Sequence, residues 1–240
     1  MTRACSFILL LVTTTLLPGA PVASSVDECP LAHQQYSSRT ILLDLLIDPA
    51  ARAVMERVAP SILKPPVGGR EWPTEPPTFA AILTPEVLLR RQPDGPTATA
   101  ALNAALARVA LTPEAIRARC ARYDTVPPSL PAEIRRPAIL VFDKIIGFRD
   151  GPSVEAAAAA LRLMASRRGW TLVFTDIGAA FNAANLARFD AVVWNNVSGD
   201  ALTVPQRDAF RQWLQDGGGF AGIMGQVATL CMCGTGTRTR

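Results

Sequence analysis

Two polar stretches in the second half of the chain, residues 143–150 and 195–200, carry the side chains best suited to binding a polar ligand. Each stretch directly follows a short apolar run. An arginine in the first can hold an anion or a sugar hydroxyl, and two adjacent asparagines in the second offer both donors and acceptors. We expect ligand contacts, as binding rather than catalytic groups, from five residues: Phe148, Arg149, Asn195, Asn196 and Met224.

A structural interpretation of the same stretches is equally open. Asp150 and Ser153 have the spacing of a helix cap, so their role could be to begin a helix. Asn195 and Asn196 could likewise satisfy the backbone of a tight turn. The sequence alone does not separate these roles from ligand binding.

Neither nucleophilic catalysis nor a cofactor site is expected. The single histidine, His33, is far in sequence from both polar stretches, and no Ser-His-Asp or Cys-His set can be assembled. Residues 217–222 match the letters of a dinucleotide fingerprint, but they precede a predicted strand instead of following one. Cys231 and Cys233 lack a nearby histidine and form a poor metal site. We therefore expect no cofactor and no metal.

Strands and helices alternate from residue 138 onward. Four short apolar runs have the character of strands buried on both faces: 138–142, 171–174, 191–194 and 220–223. Helical patterns separate them at 153–168, 183–187 and 205–215. This order predicts an α/β fold, an incomplete flavodoxin-like doubly wound parallel sheet of four strands. In such a sheet the first and third strands are neighbours, so both polar stretches would line one crevice.

The first half of the mature chain is predicted to be helical. Thr84-Pro85 and Thr112-Pro113 have the form of helix starts, and Asp48-Pro49 is expected to split the first helix. A Pro-rich linker then leads to the α/β part. The expected domains are a signal peptide at 1–24, a helical N-terminal region at 25–126, a linker at 127–137, a partial α/β domain at 138–224 and a tail at 225–240.

The charge pattern gives no sign of a nucleic-acid partner. The formal net charge is +4, but the basic residues are dispersed among acidic ones. The densest basic group, Arg117, Arg119 and Arg122, is bracketed by Glu114 and Asp124. Aromatic residues do not interleave with these bases, as a stacking surface would require.

The N-terminus has the parts of a cleaved secretory signal. Arg3 precedes an apolar run at 7–17, and cleavage is expected near Ala23 or Ser24. We expect a secreted or periplasmic protein with no membrane span after cleavage, a retained anchor being the alternative. In an oxidising compartment Cys29 and Cys120 could pair, and two free buried thiols are the other possibility.

Three segments of the second half resemble the ThuA-like (trehalose utilisation) domain family. They are residues 139–149, residues 189–200 and, most strongly, residues 206–223 with their Gly-Gly-Gly-Phe-Ala-Gly-Ile run. The resemblance implies a fold similar to class I glutamine amidotransferases and a saccharide-like small-molecule ligand. Such domains commonly carry histidine where this chain has Met224, and amidotransferases would place their nucleophilic cysteine there. Amide hydrolysis is therefore not expected, and whether the chain is an enzyme stays open. A non-catalytic interaction module and a non-functional fragment are the alternatives.

The last residues are expected to be a tail foreign to that family. Read one nucleotide earlier, codons permitted for residues 228–237 can spell Gly-Asp-Pro-Leu-Tyr-Val-Trp-Asp-Trp-Tyr, whose end resembles the family's own continuation. The hypothesis is a frameshift just after Ile223, with chance agreement as the alternative. The α/β domain would then be incomplete.

Overall fold

A computed structural model of the chain describes residues 26–65 and 71–223. Met224, the predicted signal peptide at 1–24 and the predicted tail at 225–240 lie outside the described residues. Among the helices that the structure does describe, none combines the length and the apolar character needed to cross a membrane.

The first half of the described chain is helical, as predicted. The helices are α1 (Leu42–Ile47), α2 (Pro49–Val58), α3 (Pro85–Leu89), α4 (Gly95–Leu106) and α5 (Pro113–Cys120). Asp48 separates the first two because its Oδ1 accepts hydrogen bonds from the backbone N–H groups of Ala50 and Ala51, at 2.8 and 3.0 Å. Thr112 begins α5 in the same manner, with its hydroxyl accepting from Ala115 N–H at 3.2 Å.

The second half forms one parallel sheet, and the predicted fold class is confirmed. Its strands are β1 (Ala138–Phe142), β2 (Thr171–Thr175), β3 (Ala191–Asn195) and β4 (Gly219–Ile223), in the order β2-β1-β3-β4. The register pairs Leu140 of β1 with Val173 on one side and Val192 on the other. Because β1 and β3 are neighbours, the strand order reverses between them, as it does in a flavodoxin-like sheet.

Helices cover both faces of the central strands β1 and β3, because successive strand residues point to opposite sides. The prediction that all four strands are buried on both faces is wrong for β4, whose residues are exposed or half-buried because it lies at the edge of the sheet. On one face Ile139, Val141 and Val193 pack with Leu161 of α6 (Gly151–Arg168). That helix ends at Gly169, whose φ of 69° is left-handed. The other face packs against the remaining helices, α7 (Ala183–Leu186) and α8 (Val204–Gln215).

The helical half packs on that second face. Leu45 and Met55 belong to the same buried cluster as Leu140, Phe142 and Phe210 of the α/β half. The boundaries predicted for the domains stay predictions, since the two halves share this cluster. A disulfide joins Cys29 to Cys120, so of the two possibilities left open for these cysteines the structure has the paired one.

Candidate functional site

The polar stretches after β1 and β3 lie side by side at the carboxyl edge of the sheet. Ile145 and Ser198 form a parallel bridge beyond the strands. The backbone N–H groups of Ile146 and Gly147 donate to Ser198 O at 2.9 and 3.2 Å, and Ser198 Oγ donates to Phe148 O at 3.1 Å. The sequence correctly predicted that the two stretches are neighbours. These bonds tie them directly to each other.

Gly199 makes this close approach possible. Its φ is 80°, and a Cβ at this position would lie 2.9 Å from Cβ of Ile146. A side chain here would therefore be strained both by the backbone conformation and by contact with the neighbouring loop.

The two predicted asparagines are buried and hold neighbouring elements in place. Asn195 is 0% exposed, and its Nδ2 donates to the carbonyl of Val154 in the first turn of α6 at 3.1 Å. Its Oδ1 accepts from Asn196 Nδ2 at 2.9 Å, and Asn196 has a φ of 57°. These contacts agree with the structural interpretation of the pair. Their role in ligand binding stays a prediction.

The helix cap expected at the end of the first stretch is also present. Asp150 precedes the first residue of α6, and its Oδ2 accepts from Ser153 Oγ at 2.6 Å. This contact fixes where the loop after β1 ends and the helix begins. Both polar stretches are thus anchored to α6 at their base.

Phe148 and Arg149, in contrast, line an open cleft, here called the aromatic cleft. Phe148 stacks on Phe79, with ring centroids 4.8 Å apart and the planes at 19°. Both rings remain about half exposed, at 49% and 48%. The cleft has a volume of about 430 Å³, and Trp72 and Thr78 contribute to its walls. Trp72 is held by a 2.8 Å hydrogen bond from its Nε1 to Ile62 O.

A second cavity, of about 310 Å³, adjoins the carboxyl ends of β1 and β2. We call it the mixed-charge cavity because cationic and anionic side chains both line it. Arg149 lines it as well as the aromatic cleft, and thus forms a wall common to both. Neither Asn195 nor Asn196 lines either cavity. The remaining charged residues in its wall are Arg122, Asp124, Asp143, Lys144 and Asp176.

Two of these residues, Asp143 and Asp176, were not among the candidates from sequence. Each is the first residue after a strand, β1 and β2 respectively. Burial raises the pKa of the Asp143 carboxyl, the nearby Asp176 raises it further, and Arg149 opposes both effects. An aspartate directly after each of two buried apolar runs was the signal that could have identified the pair.

The helical half supplies the opposite wall. Asp124, just beyond α5, accepts from Lys144 Nζ at 2.5 Å and from the backbone N–H of Gly178 at 2.7 Å. Arg122 lies beside it and pairs with buried Asp44. No sequence pattern indicated this contribution, since Asp124 and Arg122 lie 14 and 16 positions before β1.

The side chains of the two cavities can contact a polar organic ligand. Within residues 26–65 and 71–223, no group of three or more His, Cys, Asp and Glu side chains is placed to hold a metal. The single histidine, His33, is exposed and lines neither cavity. The two cavities together offer aromatic faces, hydrogen-bond donors and carboxylate acceptors.

Comparison with known proteins supports the family resemblance. The family model described as trehalose utilisation (ThuA) matches residues 138–232, a segment that begins with β1 and continues beyond β4. One similar solved structure is a putative ThuA-like protein from Bacteroides uniformis, with 22% identity and a TM-score of 0.31. The match covers 40% of this chain and 38% of that one, so this chain spans well under half of that protein's length. No curated protein matches. The α/β half of this chain therefore matches the ThuA, or trehalose utilisation, domain family over residues 138–232.

Proposed function

We propose that this chain is an exported protein that binds a saccharide-like small molecule at the carboxyl edge of its ThuA-like domain. The observation that carries the proposal is the stacked, half-exposed pair of Phe79 and Phe148 beside Arg149 in the aromatic cleft. The family description, trehalose utilisation, points to the same class of ligand.

The chemistry of the cleft matches both sides of a sugar. The C–H face of a pyranose ring is apolar and packs on an aromatic face, while its hydroxyl groups need hydrogen-bond partners. Phe148 and Phe79 offer the aromatic surface, and the guanidinium of Arg149 offers fixed donors at its margin. The volume of about 430 Å³ falls in the range of small-molecule sites.

Binding without chemical modification is the favoured form of this activity. His33 is exposed and lines neither cavity, so it supplies no base there. The amide of Asn195 donates to the backbone of Val154, and the amide of Asn196 donates to Asn195. Turnover of the bound sugar is the second form, and the assay below includes it.

Export is supported by the Cys29–Cys120 disulfide together with the signal predicted at residues 1–24. Disulfides persist in secreted and periplasmic proteins and are rare in reducing compartments. Expression in a Gram-negative host followed by fractionation tests this. We expect the chain outside the cytoplasm, cleaved near Ala23 or Ser24 by mass spectrometry, and an uncleaved cytoplasmic chain would refute export.

Calorimetric titration of the full chain with trehalose, sucrose and glucose tests the binding site. We expect Phe148→Ala and Arg149→Ala each to weaken the binding by about tenfold or more. The matched controls are Leu163→Ala, which removes another half-exposed apolar side chain, and Arg108→Ala, which removes an exposed arginine far from the cleft.

The outcomes separate the alternatives. The site is supported if the two cleft variants lose sugar binding and the two control variants keep it. Chromatography of the incubated sugars then shows whether any sugar is chemically modified. Binding unaffected by both cleft variants, or no binding of any sugar, would refute the proposal.

A further inference from the structure

The mixed-charge cavity beside the aromatic cleft is balanced in charge. Three cationic and three anionic side chains line it. A site built for a charged ligand would carry an excess of the opposite charge. The groups that remain free for a ligand therefore decide what the cavity can bind. The six residues are Arg122, Lys144, Arg149, Asp124, Asp143 and Asp176.

One cation and one anion of the cavity wall pair with each other. Lys144 Nζ and Asp124 Oδ2 are 2.5 Å apart, and the same carboxylate oxygen accepts from Gly178 N–H. This pair fixes the wall between the helical half and the sheet. It leaves less of either charge free for a ligand.

Arg122 has an open donor. Its side chain is 6% exposed and its Nη2 pairs with Asp44, but Nη1 has no hydrogen-bond partner among the described residues. A buried guanidinium N–H without an acceptor carries a desolvation penalty. Arg122 lines the cavity, so a ligand oxygen that reached the buried Nη1 would remove that penalty.

Asp143 and Asp176 place acceptors in the same cavity. Asp143 is half-buried and Asp176 is exposed, at the ends of neighbouring strands. Burial and the neighbouring Asp176 raise the pKa of Asp143, and Arg149 opposes them. A carboxylate in this position gains from ligand O–H donors.

The geometry points to a subsite for the hydroxyl groups of a neutral saccharide, one that discriminates against acidic and amino sugars. This inference rests on the saccharide site proposed above and names its ligand class. A hydroxyl both donates and accepts, so neighbouring hydroxyls can serve Asp143 and Arg122 together. A ligand carboxylate would meet Asp143 and Asp176 as well as the arginines, and a ligand ammonium would meet Arg122 and Arg149 as well as the aspartates. Each charged ligand would thus meet a like charge.

Three sugars with the same pyranose ring test this directly: glucose, glucuronate and glucosamine. Their affinities for the full chain are measured by NMR titration at neutral pH. We expect glucose to bind about tenfold more tightly than either charged sugar, since a like charge in a partly solvated site costs about that much.

Asp176→Ala is the informative variant because Asp176 is exposed and its loss leaves the core intact. We expect it to weaken glucose binding and to raise the affinity for glucuronate, so that the preference between the two narrows or reverses. Phe148→Ala should weaken the binding of all three sugars by the same factor and leave the ratios of their affinities unchanged. Asp94→Ala is the control, because Asp94 is an exposed aspartate whose side chain makes no helix-cap bond.

The results separate this inference from the proposed function. Glucose binding with no preference over glucuronate, or an unchanged preference in Asp176→Ala, would overturn the subsite and leave the aromatic cleft standing. If Phe148→Ala loses binding but the unaltered chain binds all three sugars with equal affinity, the subsite is likewise overturned and the aromatic cleft stands. Failure of all three sugars to bind would overturn the subsite, and failure of trehalose and sucrose as well would overturn the proposed function.

Discussion

The Cys29–Cys120 disulfide should contribute a large part of the stability of this protein. The two cysteines are 91 positions apart, so the bond closes a long loop in the unfolded chain. In the chain-entropy account, closing a loop of that length lowers the entropy of the unfolded state by an amount worth about 4.6 kcal/mol at 25 °C. Since domains are stable by only about 5–15 kcal/mol, its loss should leave the fold marginal.

The change to make is the double variant Cys29→Ala/Cys120→Ala, and the quantity to measure is the free energy of unfolding in urea. We expect a decrease of about 4–5 kcal/mol. Adding a reductant to the unaltered chain should give a similar decrease, and adding it to the double variant should give none. This last comparison controls for the other cysteines.

A decrease below about 1 kcal/mol would refute the reasoning, because it would mean that the bond constrains the unfolded chain very little. The disulfide also anchors the end of α5, which leads directly to Arg122 and Asp124 in the wall of the mixed-charge cavity. The same variant should therefore bind sugars more weakly wherever it remains folded.

Three further predictions concern the edge of the sheet. Asn195→Ala should lower the free energy of unfolding by about 1–3 kcal/mol, measured in urea, because it removes the bond to Val154 O and leaves the buried Nδ2 of Asn196 without its acceptor. A decrease below that range would mean that water replaces the Asn195 amide and would contradict this prediction. Because its pKa is raised in the folded state, Asp143 binds a proton more tightly there than in the unfolded chain. The unaltered protein should thus lose stability as pH rises from the usual aspartate range through that raised pKa. Asp143→Asn should remove this slope in a urea series from pH 3.5 to 7 and be the more stable form at neutral pH; an unchanged slope would contradict the assignment. Gly199→Ala should cost at least about 1–2 kcal/mol in the same assay because of its left-handed backbone. Gly151→Ala is the control and should not lower the free energy of unfolding by this amount, because a Cβ there meets nothing within 4 Å.

Local patterns predicted the secondary structure well because local contacts determine it. The apolar run of β1 is buried on both faces, and Asp48 begins α2 where an Asp-Pro pair indicated a break. Gly169 ends α6 through its left-handed conformation. Each of these features depends on residues within a few positions of one another. The alternation of strand and helix then limits the sheet to a few topologies.

The candidate site was predicted less completely because it depends on long-range packing. Phe148 and Arg149 do line a cleft, but Phe79 stacks on Phe148 from a segment about 70 positions away. Arg122 reaches the cavity from the helical half, and nothing in its neighbourhood in sequence indicates this. Asn195 donates to a helix carbonyl, which the sequence could not indicate because Val154 lies 41 positions away.

The most direct test of the saccharide site is an NMR titration of the nitrogen-15-labelled chain with trehalose, read at the tryptophan indole signals. Trp72 lines the aromatic cleft, whereas Trp170 lies before β2 at the opposite edge of the sheet. We predict a saturable shift of the Trp72 signal, abolished by Phe148→Ala, while the Trp170 signal stays in place. A Trp72 signal that does not move with added sugar, or shifts confined to Trp170, would contradict a saccharide site in this cleft.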